Sequence, residues 1–114
     1  MALDTVSAVD GQVIQENILA HSVTLSWTAS PDVTSGAGDG YNVYRSAVSG
    51  TYSPPLNSAP LTTTTFTDTS VTTAGKYFYV ATAIESGQES VHSNEVSAVI
   101  LPAAPTALAV TSIV

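Results

Sequence analysis

Nine carboxylates, two histidines, five tyrosines and no cysteine are the side chains with which this 114-residue chain could do chemistry. Thiol nucleophiles are excluded outright, and no serine stands in the strand-to-helix setting that exposes a catalytic hydroxyl. His21 and His92 stand alone, one beside a strand and one in a loop, and each reads as a solvated surface residue rather than a general base. Glu85, Glu89 and Glu95 fall close enough in sequence to supply a pair of acid and base carboxylates. No aromatic cleft lies near them in sequence, however, and a solvated loop is the simpler reading. Asp32, Asp39 and Asp68 are the candidates for calcium, which takes about six to eight oxygens, but their spacing matches no calcium loop. Ser35-Gly36-Ala37-Gly38-Asp39-Gly40 is rich in glycine, yet it lacks the Lys-Ser/Thr pair that meets phosphates and it precedes a strand, not a helix. No catalytic, metal-binding or cofactor-binding residue is assigned, no cofactor is expected, and the chain reads as a protein that is not an enzyme.

Charge narrows the partners. Arg45 and Lys76 are the only strong bases and the formal net charge is -7, so the chain cannot neutralise a phosphate backbone and nucleic acid is excluded. No apolar run approaches the ~20 residues that cross a bilayer, so no membrane insertion is expected. The start, Met1-Ala2-Leu3-Asp4-Thr5, lacks the basic and apolar stretches of a secretory signal. The chain therefore reads as a whole product made without export, or as a piece of a larger context. Charged residues make up 10% of the chain, against about 25% in an average domain, while sixteen threonines and fifteen serines supply the polarity. A hydroxylic, charge-poor surface lowers the desolvation cost of contact with neighbours, although threonine also fills strands because it is β-branched. Protein neighbours in a larger assembly are the expected partners, with carbohydrate as a weaker option.

The elements that must position these groups are strands. Ala2 to Val9 and Gln12 to Leu19 read as two strands joined at Asp10-Gly11, a two-residue hairpin composition. Ser22 to Thr28 puts Val23, Leu25 and Trp27 on one face, the alternation of a half-buried strand. Tyr41 to Arg45 turns Tyr41 and Val43 inward and Tyr44 outward, and Pro54-Pro55 and Pro60 limit pairing in the crossing that follows, where Tyr52 lies. Leu61 to Asp68 forms a threonine-rich strand around Phe66. Tyr77 to Glu85, the longest strand, carries Tyr77, Tyr79, Ala81 and Ala83 on one face, and a loop from Ser86 to Ser93 leads to a last strand, Asn94 to Ile100. The expected core is Val23, Leu25, Trp27, Tyr41, Val43, Phe66, Tyr77 and Tyr79, with Trp27 at its centre.

The ordered set of a Trp strand, a Gly40-Tyr41-Asn42-Val43-Tyr44-Arg45 strand and a tyrosine opening a late strand resembles a fibronectin type III domain, over roughly Ser22 to Ile100. Val71-Thr72-Thr73-Ala74-Gly75-Lys76-Tyr77 is similar to the family's turn, with Thr73 in place of its usual proline. The resemblance implies an all-β antiparallel sandwich of about seven strands, of the immunoglobulin-like kind, with Tyr77 as the tyrosine of the corner. This chain adds an N-terminal hairpin, since Leu3 stands 24 positions before Trp27. Residues 1–101 are expected to form the sandwich. Residues 102–114 are a Pro/Ala linker and a strand-like tail resembling the opening of another such domain.

Domains of this resemblance serve many ends. The reading these features favour is a structural assembly subunit, a decoration, tail or fibre component of a bacteriophage virion. Its neighbours would be contacted by strand addition through Leu108 and Val110, or through the outward Tyr44 and Tyr52. The alternative is a spacer or a carbohydrate- or protein-binding module of an extracellular bacterial enzyme or adhesin, or a cell-surface filament subunit. Location is accordingly expected in a virion or at the cell exterior.

Overall fold

The computed structural model describes residues 4–7, 21–34, 36–71 and 73–114, the first of these stretches by its backbone. Among the described residues seven strands lie in two sheets, with no helix. One sheet has the order β1 (Asp4–Ser7), β2 (His21–Ser26), β4 (Thr65–Asp68). The other is built on β5 (Gly75–Glu85), flanked on one side by β3 (Gly40–Ser46) and on the other by β6 (Gln88–Glu89) and β7 (Val96–Ile100). β3 runs antiparallel to β5 from Gly40↔Ile84 to Ser46↔Phe78, and β7 from Gly75↔Ile100 to Tyr79↔Val96. β2 and β4 are antiparallel from Val23↔Asp68 to Ser26↔Thr65. The all-β sandwich expected from the alternating runs is the fold observed.

β1 departs from the antiparallel pattern. It falls within the first expected strand, and it pairs parallel to β2, from Asp4↔His21 to Ser7↔Thr24. The expected turn at Asp10-Gly11 and strand from Gln12 to Leu19 lie outside the described residues.

Alternation explains the core. Val23 and Leu25 of β2 pack in one cluster with Val43 of β3 and Tyr79 of β5, with Val71, Ala98 and Ile100 closing the layer, and Tyr41 of β3 is buried too. Tyr79, Ile100, Val23 and Val43 are the largest of the fully buried side chains. Trp27 is not the centre. The ladder of β2 ends at Ser26, and the Trp27 N–H donates instead to the Thr64 carbonyl at 3.0 Å. The half-buried indole therefore caps one end of the core, edge-on to Tyr41 with ring centres 5.4 Å apart. Phe66 and Tyr77 are also half-buried against the core, and the Tyr77 hydroxyl donates to the Thr73 carbonyl at 2.7 Å.

The run from Leu61 to Asp68 serves both sheets. Leu61 bridges Tyr41 of β3 through backbone bonds of 2.8 and 3.0 Å, and only from Thr65 onward does the chain pair with β2. Gly40 is required by that crossing, because a Cβ there would collide with the Leu61 carbonyl oxygen. The expected loop after Glu85 begins with a hairpin. Ser86 and Gly87 have φ of 52° and 78°, the positive pair of a type I′ turn, and β6 folds back with Ile84↔Glu89 and Glu85↔Gln88.

Residues 101–114 lie in no ladder and every one is exposed. Within a single chain the expected strand at Thr106 to Val114 is thus not formed. Leu108 and Val110, 97% and 78% exposed, stand in the open.

Candidate functional site

The chemistry-bearing side chains gather on the outer face of the β5 sheet. With Tyr41 and Val43 turned into the core, Asn42 and Tyr44 of β3 point outward beside Thr82 of β5, and the β6 hairpin folds Glu89 over the same face. The Glu89 carboxylate accepts hydrogen bonds from the Tyr44 hydroxyl, from Thr82 Oγ1 at 2.5 Å and from Asn42 Nδ2 at 3.4 Å. A second carboxylate, Glu95, stands just before β7 and accepts from Ser49 Oγ at 2.6 Å, the Gly50 N–H at 2.9 Å and the Tyr52 hydroxyl at 2.5 Å. His92 sits between the two tyrosines, 5.5 Å from the Tyr44 ring and 5.4 Å from the Tyr52 ring, and the tyrosine ring centres are 6.4 Å apart.

Electrostatics set what this face can do. Hydrogen bonds from Thr82 and Tyr44 hold the Glu89 carboxyl below its ordinary range, and bonds from Ser49, Tyr52 and the Gly50 N–H do the same for Glu95. Burial and the adjoining glutamates push the Tyr44 and Tyr52 hydroxyls upward. Both glutamates are thus fixed as anions and both tyrosines as neutral donors. That is opposite to the raised carboxyl a general acid needs. The rings are inclined to one another by 44°, 70° and 81°, so two of the three pairs meet edge to face, the Tyr44–His92 pair is tilted, and the three form no coplanar platform.

Other candidates are placed elsewhere. Asp68 is buried at the seam between the sheets. Its Oδ2 accepts from Arg45 Nη1 and from the Tyr79 hydroxyl, each at 2.8 Å, and its Oδ1 from the Ser70 hydroxyl at 2.6 Å and N–H at 2.9 Å. Burial works to raise the Asp68 pKa, but the bonds from Ser70, Tyr79 and Arg45 outweigh it and hold the carboxyl low. Asp39 ties the loop before β3 to the turn after β5, accepting from the Ser86 N–H at 3.1 Å, and Asp32 is exposed. Among the described residues no three acidic or histidine side chains converge as a metal site would require. Glu85 is exposed at the end of β5, His21 opens β2, and Lys76 lies over the Phe78 ring at 5.5 Å. Among the described residues no helix is long and apolar enough to cross a membrane.

The join of Tyr44 to Glu89 and of Tyr52 to Glu95 spans 45 and 43 residues and was not legible in sequence. One signal was available. Ser86-Gly87 is a turn dipeptide, and folding the chain there sets Glu89 beside β5.

The solved structure of a Fn3-like protein from Clostridium thermocellum matches this fold with a TM-score of 0.61 at 30% sequence identity, covering 85% of this chain and 90% of that one. The chain belongs to the fibronectin type III-like domains. No protein-family model matches it. This Fn3-like domain is also similar to parts of much longer proteins. It is 43% identical over 77 residues to an amylopullulanase of Thermoanaerobacter thermohydrosulfuricus and 35% identical over 96 residues to exoglucanase B of Cellulomonas fimi. Those matches take in 67% and 82% of this chain but only 5% and 8% of the enzymes.

Proposed function

We propose that this Fn3-like domain is a non-catalytic spacer module of an extracellular bacterial enzyme of the amylopullulanase or exoglucanase kind. One observation carries the reading. Similar segments occur in two enzymes with different names and make up 5% and 8% of them. What two such enzymes share in a small segment is not what separates their chemistries, so the segment is an accessory part. The tyrosine and glutamate face agrees with this, because its hydroxyls and carboxylates are engaged with one another and its rings are mutually inclined. The similarity favours the module over the bacteriophage virion component, which gains no support from it.

The test is direct. The purified chain is incubated with soluble starch, pullulan and a soluble β-glucan and assayed for reducing ends, then mixed with insoluble starch and with cellulose and measured for depletion from solution. A spacer releases no sugar and stays in solution with both solids. Release of sugar overturns the non-catalytic reading. Saturable depletion by either solid replaces the spacer with a carbohydrate-binding module, and loss of that depletion in Tyr44→Ala or Tyr52→Ala would place binding on the outer face.

A further inference from the structure

Residues 61–67, Leu-Thr-Thr-Thr-Thr-Phe-Thr, carry no charge and no proline, and the end of this run enters β4. On one side β4 pairs with β2. The bond from the Trp27 N–H to the Thr64 carbonyl fixes the phase of that ladder. In an antiparallel pair, bonded residues alternate with unbonded ones, so Phe66 and Asp68 exchange bonds with Leu25 and Val23, and Thr65 and Thr67 turn their backbone groups away from β2. Among the described residues nothing meets those outward groups except the Thr63 hydroxyl, which donates to the Thr65 carbonyl at 3.1 Å. Thr63, Thr65 and Thr67 are all exposed.

Elsewhere the fold closes such gaps. Along β3, the Leu56 N–H donates to the Val43 carbonyl at 2.8 Å, the Asn57 side chain accepts from the Val43 N–H at 2.9 Å, and Leu61 bridges Tyr41. Between β6 and β7, the hydroxyls of Ser93 and Ser90 accept from the N–H groups of Ala81 and Ala83, each at 2.9 Å. β4 has no cover of this kind. It also lacks the charge, proline or bulge that keeps a bare edge from pairing with another chain.

The same edge of a second copy is the partner that fits. The chain carries a net charge of -7, yet of the described carboxylates only Asp68 lies on β4, and Arg45 is paired with it. Asp4 is on β1, beyond β2; Glu85, Glu89 and Glu95 belong to the other sheet or its connections, and Asp32 and Asp39 precede β3. Two copies meeting along β4 therefore bring uncharged edges together. The pairing is self-complementary about a two-fold axis, so it uses up both edges and the assembly closes.

We infer that two copies of this chain associate by antiparallel pairing of β4 with β4, joining their three-stranded sheets into one continuous sheet. Side-chain phase and the length of β4 select the register. Phe66, half-buried in one chain, stands opposite Phe66 of the second copy on the core side, where an aromatic pair is favoured. Thr65 stands opposite Thr67 of the second copy on the outer face. Each Thr65 N–H then donates to a Thr67 carbonyl and each Thr67 N–H to a Thr65 carbonyl, in place of the local bond from the Thr63 hydroxyl. The Thr24–Thr67 hydroxyl contact of 3.0 Å within one copy is continued by threonines of the other.

The experiment uses the full chain. Sedimentation is followed from about 1 µM to about 1 mM, the range of weak to moderate association, and should show a twofold rise in mass. Amide exchange is read residue by residue by NMR across the same range. The Thr65 and Thr67 N–H groups should exchange freely in dilute solution and slow by about tenfold or more as the dimer fills, whereas Phe66 and Asp68, bonded to β2, are protected throughout. Thr65→Lys/Thr67→Lys sets like charges opposite one another across the joint and should abolish both effects, although it lowers the net charge of each copy. Both positions are exposed, so the dilute variant should melt within about 5 °C of the parent. Should it melt lower, the exchange pattern of the unaltered chain still decides. A chain that stays monomeric throughout, a mass rise that persists in the double variant, protection that grows on another strand but not at Thr65 and Thr67, or assembly beyond two copies would each overturn the pairing.

Discussion

Replacing Asp68 by alanine tests whether the two sheets are pinned together by a polar seam as well as by the apolar core. Its carboxylate, 2% exposed, belongs to β4 in one sheet and takes hydrogen bonds from Tyr79 of β5 and Arg45 of β3 in the other. Alanine leaves the buried Tyr79 hydroxyl without its acceptor, a cost of about 1 to 3 kcal/mol. It also strips the ion pair from Arg45, whose side chain is 25% exposed, so water recovers much of that loss and about 1 kcal/mol is added. The sum is about 3 kcal/mol, equivalent to a fall in Tm of about 12 °C for a domain of this length. The assay is urea and thermal unfolding of Asp68→Ala, Tyr79→Phe and the double variant. Tyr79→Phe alone should cost about 1 kcal/mol. In the Asp68→Ala background it should cost nothing, because it then removes an unpaired hydroxyl, and the coupling should be about 1 kcal/mol. An Asp68→Ala variant within about 0.5 kcal/mol of the parent, or a Tyr79→Phe cost that is equal in both backgrounds, refutes the seam.

Four further outcomes follow from the same geometry. Stability should fall in acid as pH drops below about 4, the ordinary aspartate value, because the Asp68 pKa is lowered in the fold and its contribution is lost as pH falls through that lower value; Asp68→Asn should flatten this limb in a pH series of melts. Gly40→Ala should destabilise by about 2 kcal/mol or more in urea unfolding, because the Leu61 carbonyl must move away from the new Cβ. Tyr77→Phe should cost about 0.5 to 1 kcal/mol, since the bond from its hydroxyl to the Thr73 carbonyl is exposed and water can replace it, as chemical denaturation will read. Tyr44→Phe should raise the Glu89 pKa toward the ordinary value by removing one of its donors, followed by NMR titration of the carboxyl carbon.

Much of the sandwich was legible because alternation reports directly on a sheet with one wet face. Val23, Leu25, Tyr41, Val43 and Tyr79 all sit where their spacing puts them. The pattern was less informative at strand ends. Nothing in the residues after Ser26 announces that β2 stops one residue short of the tryptophan, so an aromatic that continues the alternation was assigned to the centre and lies at the margin. Leu61 to Asp68 has the composition of one strand, yet pairing, not propensity, divides it between two sheets. The outer face was the least visible. Its contacts join residues more than forty positions apart, and a sequence shows which side chains point outward but not which of them meet. Asp68 was weighed in sequence only as a calcium ligand, with a spacing that matches no calcium loop. Its burial depends on Arg45 and Tyr79 arriving from the opposite sheet.

The use of Arg45 inside that seam also shapes how the domain meets its surroundings. The chain has two strong cations, and one of them is neutralised internally by Asp68. Only Lys76 remains to offset the other carboxylates, so the electrostatic potential outside the molecule is negative almost wherever it is approached. A second copy, or any anionic polymer, feels that repulsion once it comes within about 10 Å, the screening distance near 0.1 M salt. Added salt should therefore strengthen association between copies and leave the interior seam almost untouched. That ordering is the reverse of an interface held by ion pairs, and it would let ionic strength set the spacing of such domains without loosening any one of them.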